Sequence, residues 1–431
     1  MILKALGFNP QTMKVRTELT AGLTTFLTMS YILAVNPDIM SAASMDKGAV
    51  FTATALSSAI ATLIMAFLAR VPFALAPGMG INAFFAFTVV QGMGYSWETA
   101  LTAVFIEGLV FVLLTVFNIR QLVVHSIPQT IRLAITAGIG LFITFIGLTN
   151  CGIITSNPVT FIALGKVTPT TVLAFAGILL SGVLMAKKVK GALFYMILLA
   201  TLVGIPLGIT KIPEGFVPFS MPVSLAPTFL KFDFSQLGNF DMLIVIFSFI
   251  FMDLFDTLGT LVGTATKLDA VNKKGDIPYL KPALMADALG TTIGAMLGTS
   301  TVTTYMESTT GIAEGGRSGL TSVTTAFFFL LSLFFAPLFL LIPSAATTSA
   351  LVIVGVLMLD AIRQIDYSDM TEALPAFITI VMMPFAYSIA EGIVLGLLSY
   401  VVMKVLSGRY KQVSLTMYVL AVLFVLRYLL S

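Results

Sequence analysis

Stretches of apolar residues long enough to cross a lipid bilayer recur from Thr20 to Leu430, and they leave little room for a soluble core. A spanning helix needs about 20 mainly apolar residues. Such spans are expected at 20–36, 50–69, 74–91, 99–117, 130–148, 171–186, 191–209, 241–264, 283–297, 300–316, 320–341, 345–361, 373–386 and 388–406. A further apolar stretch, 413–430, reads as an extra span or as a helix lying on the membrane. Only 10% of the residues are charged, against about 25% in a typical soluble domain. The chain is therefore expected to be an all-α polytopic membrane protein of about 14 transmembrane segments, with the lipid bilayer as its first partner.

Composition also removes several functions. A single cysteine, Cys151, excludes a disulfide framework and a cysteine-built metal site. A single histidine, His125, read as a loop residue, leaves no histidine metal cluster and no serine–histidine triad. No cofactor is implied. A net charge of +3, scattered over short loops, does not suit nucleic acid. The opening Met-Ile-Leu-Lys lacks a cleavable-signal pattern, so the first span is expected to serve as its own insertion signal. With a cytoplasmic N-terminus, the path puts 18 of the 23 Lys and Arg residues inside, as positive-inside bias requires. A cell (inner) membrane location follows. The oligomeric state stays open, a homodimer being one option.

A weak internal repeat is visible. Pro128 and Pro343 each follow an isoleucine and each precede a glycine, Gly140 or Gly355, by twelve positions. Lys190-Gly191 and Glu391-Gly392 open corresponding later spans. Seven spans per half is an odd number, so the halves 1–210 and 240–406 would enter the membrane from opposite sides, as in many secondary transporters. Chance similarity between Gly/Pro-punctuated helices is the competing explanation.

The third span of each half is interrupted. The first reads Ala76-Pro77-Gly78-Met79-Gly80-Ile81-Asn82-Ala83, and the second Gly298-Thr299-Ser300-Thr301-Val302-Thr303-Thr304 followed by Glu307. Proline lacks a backbone donor and glycine tolerates conformations closed to other residues. The Thr/Val run suits a short extended segment. Irregular backbone at membrane depth survives where it lines a cavity or is covered by protein. Each break would leave a half-helix N-terminus near the midplane. A packing kink is the alternative for either break alone; two in matched positions point to a binding site.

Span eight carries Asp253, Asp256, Thr257, Thr260, Thr264 and Lys267 as one helical stripe. A charged group at the bilayer centre costs about 2.5–3.5 kcal/mol on insertion scales, so these aspartates imply a polar cavity, a partner or a bound proton. We expect Asp253 to meet the substrate and Asp256 to support it. Glu307 is the other strong candidate, either bonding substrate or loading a proton. Glu107 reads as structural, with a place in a proton path as its alternative. Asn36, before Pro37, reads as a helix stop that could also contact the cavity. Phe84, Phe85 and Phe87 offer a ring to stack on a flat ligand. Glu314 reads as interfacial.

Three blocks carry a family resemblance: Leu75-Ala-Pro-Gly-Met-Gly-Ile-Asn-Ala83, Met252-Asp-Leu-Phe-Asp-Thr-Leu-Gly-Thr-Leu-Val-Gly263 and Glu307-Ser-Thr-Thr-Gly-Ile-Ala-Glu-Gly-Gly-Arg-Ser-Gly-Leu-Thr321. Over essentially the whole chain the sequence resembles the AzgA-like branch of the nucleobase–cation symporter family two. The resemblance implies proton-coupled uptake of adenine, guanine or hypoxanthine. It also implies fourteen spans in two inverted repeats of seven, a core domain moving against a gate domain, and short strands in spans three and ten. By motif, the carboxylate that holds the base falls on Asp253 or, second, Asp256. The span-ten contact falls on Glu307 with Thr303 and Thr304 beside it, and the span-three wall on Ala76, Pro77, Gly78 and Phe84. Relatives that carry uracil or urate follow the span-ten Glu or Gln with Asn-x-Gly. Ser-Thr-Thr-Gly stands here, which argues against those substrates. An anion transporter on the same fold is the rival reading. An aspartyl protease is disfavoured, because Asp253 and Asp256 share one helix and no Gly-x-Gly-Asp motif occurs.

Overall fold

A computed structural model describes residues 2–117, 128–268 and 277–430. His125, Arg120, Lys273 and Lys274 lie outside the described residues. In chain order the main helices and strands are α1 (Val15–Met29), α2 (Ile32–Ser41), α3 (Lys47–Leu68), β1 (Leu75–Pro77), α4 (Met79–Ala83), which continues as a π-helical stretch over Phe84–Gly92, and α5 (Trp97–Val116). There follow α6 (Gln129–Asn150), β2 (Ile154–Asn157), β3 (Phe161–Leu164), α7 (Pro169–Ala186), α8 (Ala192–Gly204), α9 (Phe240–Lys267) and α10 (Leu280–Leu297). The chain ends with β4 (Val302–Thr304), α11 (Ser308–Ala313), α12 (Gly319–Ser332), α13 (Ser344–Leu359), α14 (Met370–Phe385), α15 (Ile389–Leu406) and α16 (Leu415–Leu430).

Helix starts follow from side-chain acceptors for otherwise unpaired N–H groups. Asp46 accepts from Ala49 N before α3, Ser96 from Thr99 N before α5, and Thr168 from Thr171 N before the Pro169 that opens α7. Seven helices among the described residues are long and apolar enough to cross a membrane. That is fewer than the about 14 spans expected from hydropathy. The antiparallel hairpin of β2 and β3 was not foreseen, since 149–170 reads as a loop.

The chain divides into two compact units that cut across the two sequence halves. One comprises Met1–Phe117 with Thr149–Ala350; the other comprises Asn118–Leu148 with Leu351–Ser431. The first has a fully buried apolar cluster that includes Ala61, Met65, Phe73, Leu75, Leu261 and Val302, which packs both short strands β1 and β4 into the interior. In the second, a smaller cluster joins Ala134 and Ala137 of α6 to Ala376 and Ile380 of α14. The two glycines of the weak repeat meet there: a Cβ on Gly140 would lie 2.7 Å from Met358 Cβ and 2.8 Å from Gly355 O. Helices in lipid associate through such small residues because close backbone packing replaces the hydrophobic drive. On the α14–α15 hairpin, the buried Lys404 ammonium lies 2.6 Å from Glu372 and donates to Thr371 Oγ1 at 2.8 Å.

Candidate functional site

The site grows out of one small sheet inside the first unit. β1 and β4 pair antiparallel with Leu75 opposite Thr304, Ala76 opposite Thr303 and Pro77 opposite Val302. Flanking bonds extend the pairing, from Gly78 N to Thr301 O at 2.9 Å and from Tyr305 N to Ala74 O at 3.0 Å. A two-stranded sheet away from water has outer edges that need partners. A threonine supplies each. Thr62 on α3 donates to Leu75 O at 3.2 Å and accepts from Leu75 N at 3.0 Å; Thr291 on α10 donates to Val302 O at 3.0 Å and accepts from Val302 N at 3.2 Å.

Beside this sheet runs the acidic stripe of α9. Asp253, Thr257 and, on α10, Asp287 are all fully buried. The Thr257 hydroxyl lies 2.8 Å from Asp253 Oδ1, 2.9 Å from Asp287 Oδ1 and 2.9 Å from Thr303 Oγ1. A hydroxyl carries one hydrogen and two lone pairs. All three contacts are hydrogen bonds together when Thr303 donates to Thr257, Thr257 donates to one carboxylate, and the other carboxyl bears a proton.

Asp256 and Glu307 differ from that sealed pair in being only half-buried. They interact electrostatically, and Asp256 also senses Asp287. Gly78 closes in on the same place: a Cβ there would sit 3.5 Å from Asp256 Oδ2 and only 2.8 Å from Thr303 Cγ2. On the other side Tyr31 donates to Glu307 Oε1 at 2.6 Å, and Tyr305 donates to Pro77 O at 2.5 Å. The sequence put the substrate contact on Asp253 and its support on Asp256. Asp253 is the sealed one and Asp256 the accessible one.

The remaining candidates fall into two groups. Asn36 is more than a helix stop. Its amide donates to Thr54 Oγ1 at 2.7 Å and Thr299 Oγ1 at 2.9 Å, and its Oδ1 accepts from Asn82 at 2.6 Å, while Asn82 accepts from Ser300. Glu107, buried on α5, accepts from Thr301 Oγ1 at 2.6 Å. Both brace the chain entering β4. Ala76, Pro77, Thr303 and Thr304 lie in the paired strands; the Thr304 hydroxyl is buried and has no partner among the described residues. Phe84 is fully buried, edge-on to Phe249 with ring centroids 4.9 Å apart, so packing rather than an open face occupies it. Sequence reasoning missed Tyr31, Tyr305 and Asp287. Asp287 had a usable signal, as an acid within a predicted span; a buried tyrosine has none.

A mostly helical membrane bundle, with paired strands at two helix interruptions and acidic side chains beside them, defines an integral membrane transporter rather than an enzyme. Comparison with known proteins agrees. Residues 16–395 match the Permease family, and the chain belongs to it. It is 43% identical to adenine permease AdeP of Escherichia coli, over 96% of this chain and 92% of that one. It is 44% identical to guanine/hypoxanthine permease PbuG of Bacillus subtilis, over 96% of each chain. The fold resembles the transmembrane domain of the cyanobacterial bicarbonate transporter BicA, with a TM-score of 0.64 at 18% identity over 88% of this chain and 97% of that one.

Proposed function

We propose that this permease carries purine nucleobases (adenine, guanine or hypoxanthine) inward across the cell membrane together with a proton, by alternating access. The observation that carries the reading is the pair of half-buried carboxylates, Asp256 and Glu307, the first of them beside the Gly78 backbone. A purine is flat, neutral and rich in donors and acceptors. Carboxylates accept its ring N–H groups, and the lack of a side chain at Gly78 lets Thr303 and the Asp256 carboxylate stand against the strand backbone. A site built on such bonds rejects analogues that leave buried groups unpaired. Asp256 is assigned the contact with the base and Asp253 the support, held through Thr257 and Asp287. A coupling proton is assigned to that sealed cluster, because the single Thr257 hydrogen cannot serve both carboxyls. One inward proton contributes about 2.3 kcal/mol per 100 mV of membrane potential, enough for concentrative uptake.

The proposed frame is fourteen spans in two inverted repeats, 1–210 and 240–406, with spans three and ten interrupted at β1 and β4, a core domain moving against a gate, 413–430 as an additional membrane helix, and a cytoplasmic N-terminus. The matched threonine clasps on the two strands support the repeat. Each comes from the helix just before its strand, as expected if one plan were used twice. Names of relatives supply the purine class, since two of them are adenine and guanine/hypoxanthine permeases.

The test is uptake of labelled adenine, guanine, hypoxanthine and uracil into proteoliposomes, with and without a protonophore. Purine uptake collapsed by the protonophore is expected, with uracil ignored. Asp256→Asn and Glu307→Gln should each lower apparent affinity by about tenfold or more, the worth of a hydrogen bond to a charged group. Normal transport by both variants eliminates the site.

A further inference from the structure

We propose that Tyr31 is a positioning residue for Glu307, and that it sets which purine the site prefers. This rests on the reading of Glu307 as a substrate contact. Tyr31 stands at the two-residue interruption between α1 and α2, and its side chain is 1% exposed. Its hydroxyl reaches Glu307 Oε1 at 2.6 Å. Glu307 itself is half-buried. One end of the carboxylate is thus sealed by a phenol, while the residue as a whole retains an open side.

The contact is built into the packing. α1 lies along α11, with Thr28 Oγ1 3.0 Å from Thr310 Oγ1, and Thr310 Oγ1 donates back to Glu307 O at 2.6 Å. Tyr31 and Glu307 therefore hang from the same pair of segments and keep their relative position. A phenol has one hydrogen, and here it is given to Oε1. Glutamate χ3 is a broad, roughly two-fold torsion. The donated bond narrows it, so Oε2 is held in one direction toward the base. Purines differ in where they place N–H groups around the ring. A carboxylate with one fixed free oxygen discriminates among those patterns, and a freely turning one discriminates less.

The experiment is transport kinetics of Tyr31→Phe, which removes one oxygen from a buried ring and keeps its volume. Apparent KM for the preferred purine should rise about ten- to hundredfold, the range for a hydrogen bond to a charged group. Vmax per folded transporter should stay within about twofold, as expected when binding geometry alone is lost. The preference among adenine, guanine and hypoxanthine should flatten. In a Glu307→Asp background, where the carboxylate is a methylene further from the phenol, Tyr31→Phe should add no further rise, since the two changes remove one interaction. A merely structural tyrosine gives less protein in the membrane with KM and purine ranking unchanged, and that result overturns the proposal. Additive effects in the double variant overturn it as well. If Glu307→Gln abolishes uptake while Tyr31→Phe leaves KM unmoved, the positioning role fails and the substrate site stands. If Glu307→Gln transports normally, Glu307 is not a substrate contact and the positioning role falls with it.

Discussion

The two helix interruptions, Leu75–Ala83 and Val302–Ala313, share a backbone plan and differ in chemistry. Each contributes a three-residue strand to one sheet, and each strand has its outer edge closed by a threonine from the helix before it. The first interruption carries no ionisable side chain; its contribution is shape, through Gly78 and the Pro77 carbonyl held by Tyr305. The second is rich in hydroxyls and contains Glu307. The first interruption thus offers a wall and the second a polar face, the two features the proposed flat ligand needs.

Crowding the wall gives the largest expected effect on transport. Gly78→Ala places a Cβ against the Thr303 methyl and toward Asp256, and overpacking of this kind costs about 1–3 kcal/mol. Uptake should fall about 5- to 150-fold at equal membrane levels, the affinity equivalent of that cost. Thr303→Ser removes the obstructing Cγ2 and keeps the hydroxyl bonded to Thr257, so the double variant should recover most of the lost uptake. Failure of that rescue would mean that the wall acts through something other than shape.

Next come the clasps. Thr62→Val and Thr291→Val each leave a buried strand N–H and C=O without their partner, at about 1–3 kcal/mol per group. Thermal unfolding in detergent should show similar losses for the two. A large loss for one and none for the other would break the equivalence of the edges.

The smallest effect is expected outside the site, where Lys190 pairs with Glu314 at the end of α11, with side chains 59% and 29% exposed. Lys190→Ala should change stability by no more than about 1 kcal/mol and leave purine KM alone, because exposed ion pairs contribute little. A changed KM would show that the polar face extends beyond Glu307.

Much of this arrangement could be read before any coordinates. Apolar segment length marked the membrane helices, because lipid forces the backbone to satisfy itself within a helix. Pro77, Gly78 and the Thr/Val run marked the interruptions, because local conformational preference suffices to disfavour a helix there. The acids of span eight and Glu307 stood out because an ionisable group within a span needs a reason. The hairpin over 154–164 was not legible, since its residues alternate too weakly to signal strands.

What sequence alone determined is a list of exceptional positions: where helices stop and where charge enters the membrane. Which of those positions face each other was decided by tertiary structure. Asp253 and Asp256 sit three residues apart on one helix, so periodicity places both on one stripe and cannot say which is open. The packing of α10 and β4 seals Asp253 with Thr257 and Asp287 and leaves Asp256 accessible. Tyr31 lies 276 positions from Glu307 along the chain, and only the packing of α1 on α11 brings a phenol hydrogen to that carboxylate. Contacts of this length carry no local signature, because their energy depends on the partner and not on the residue alone.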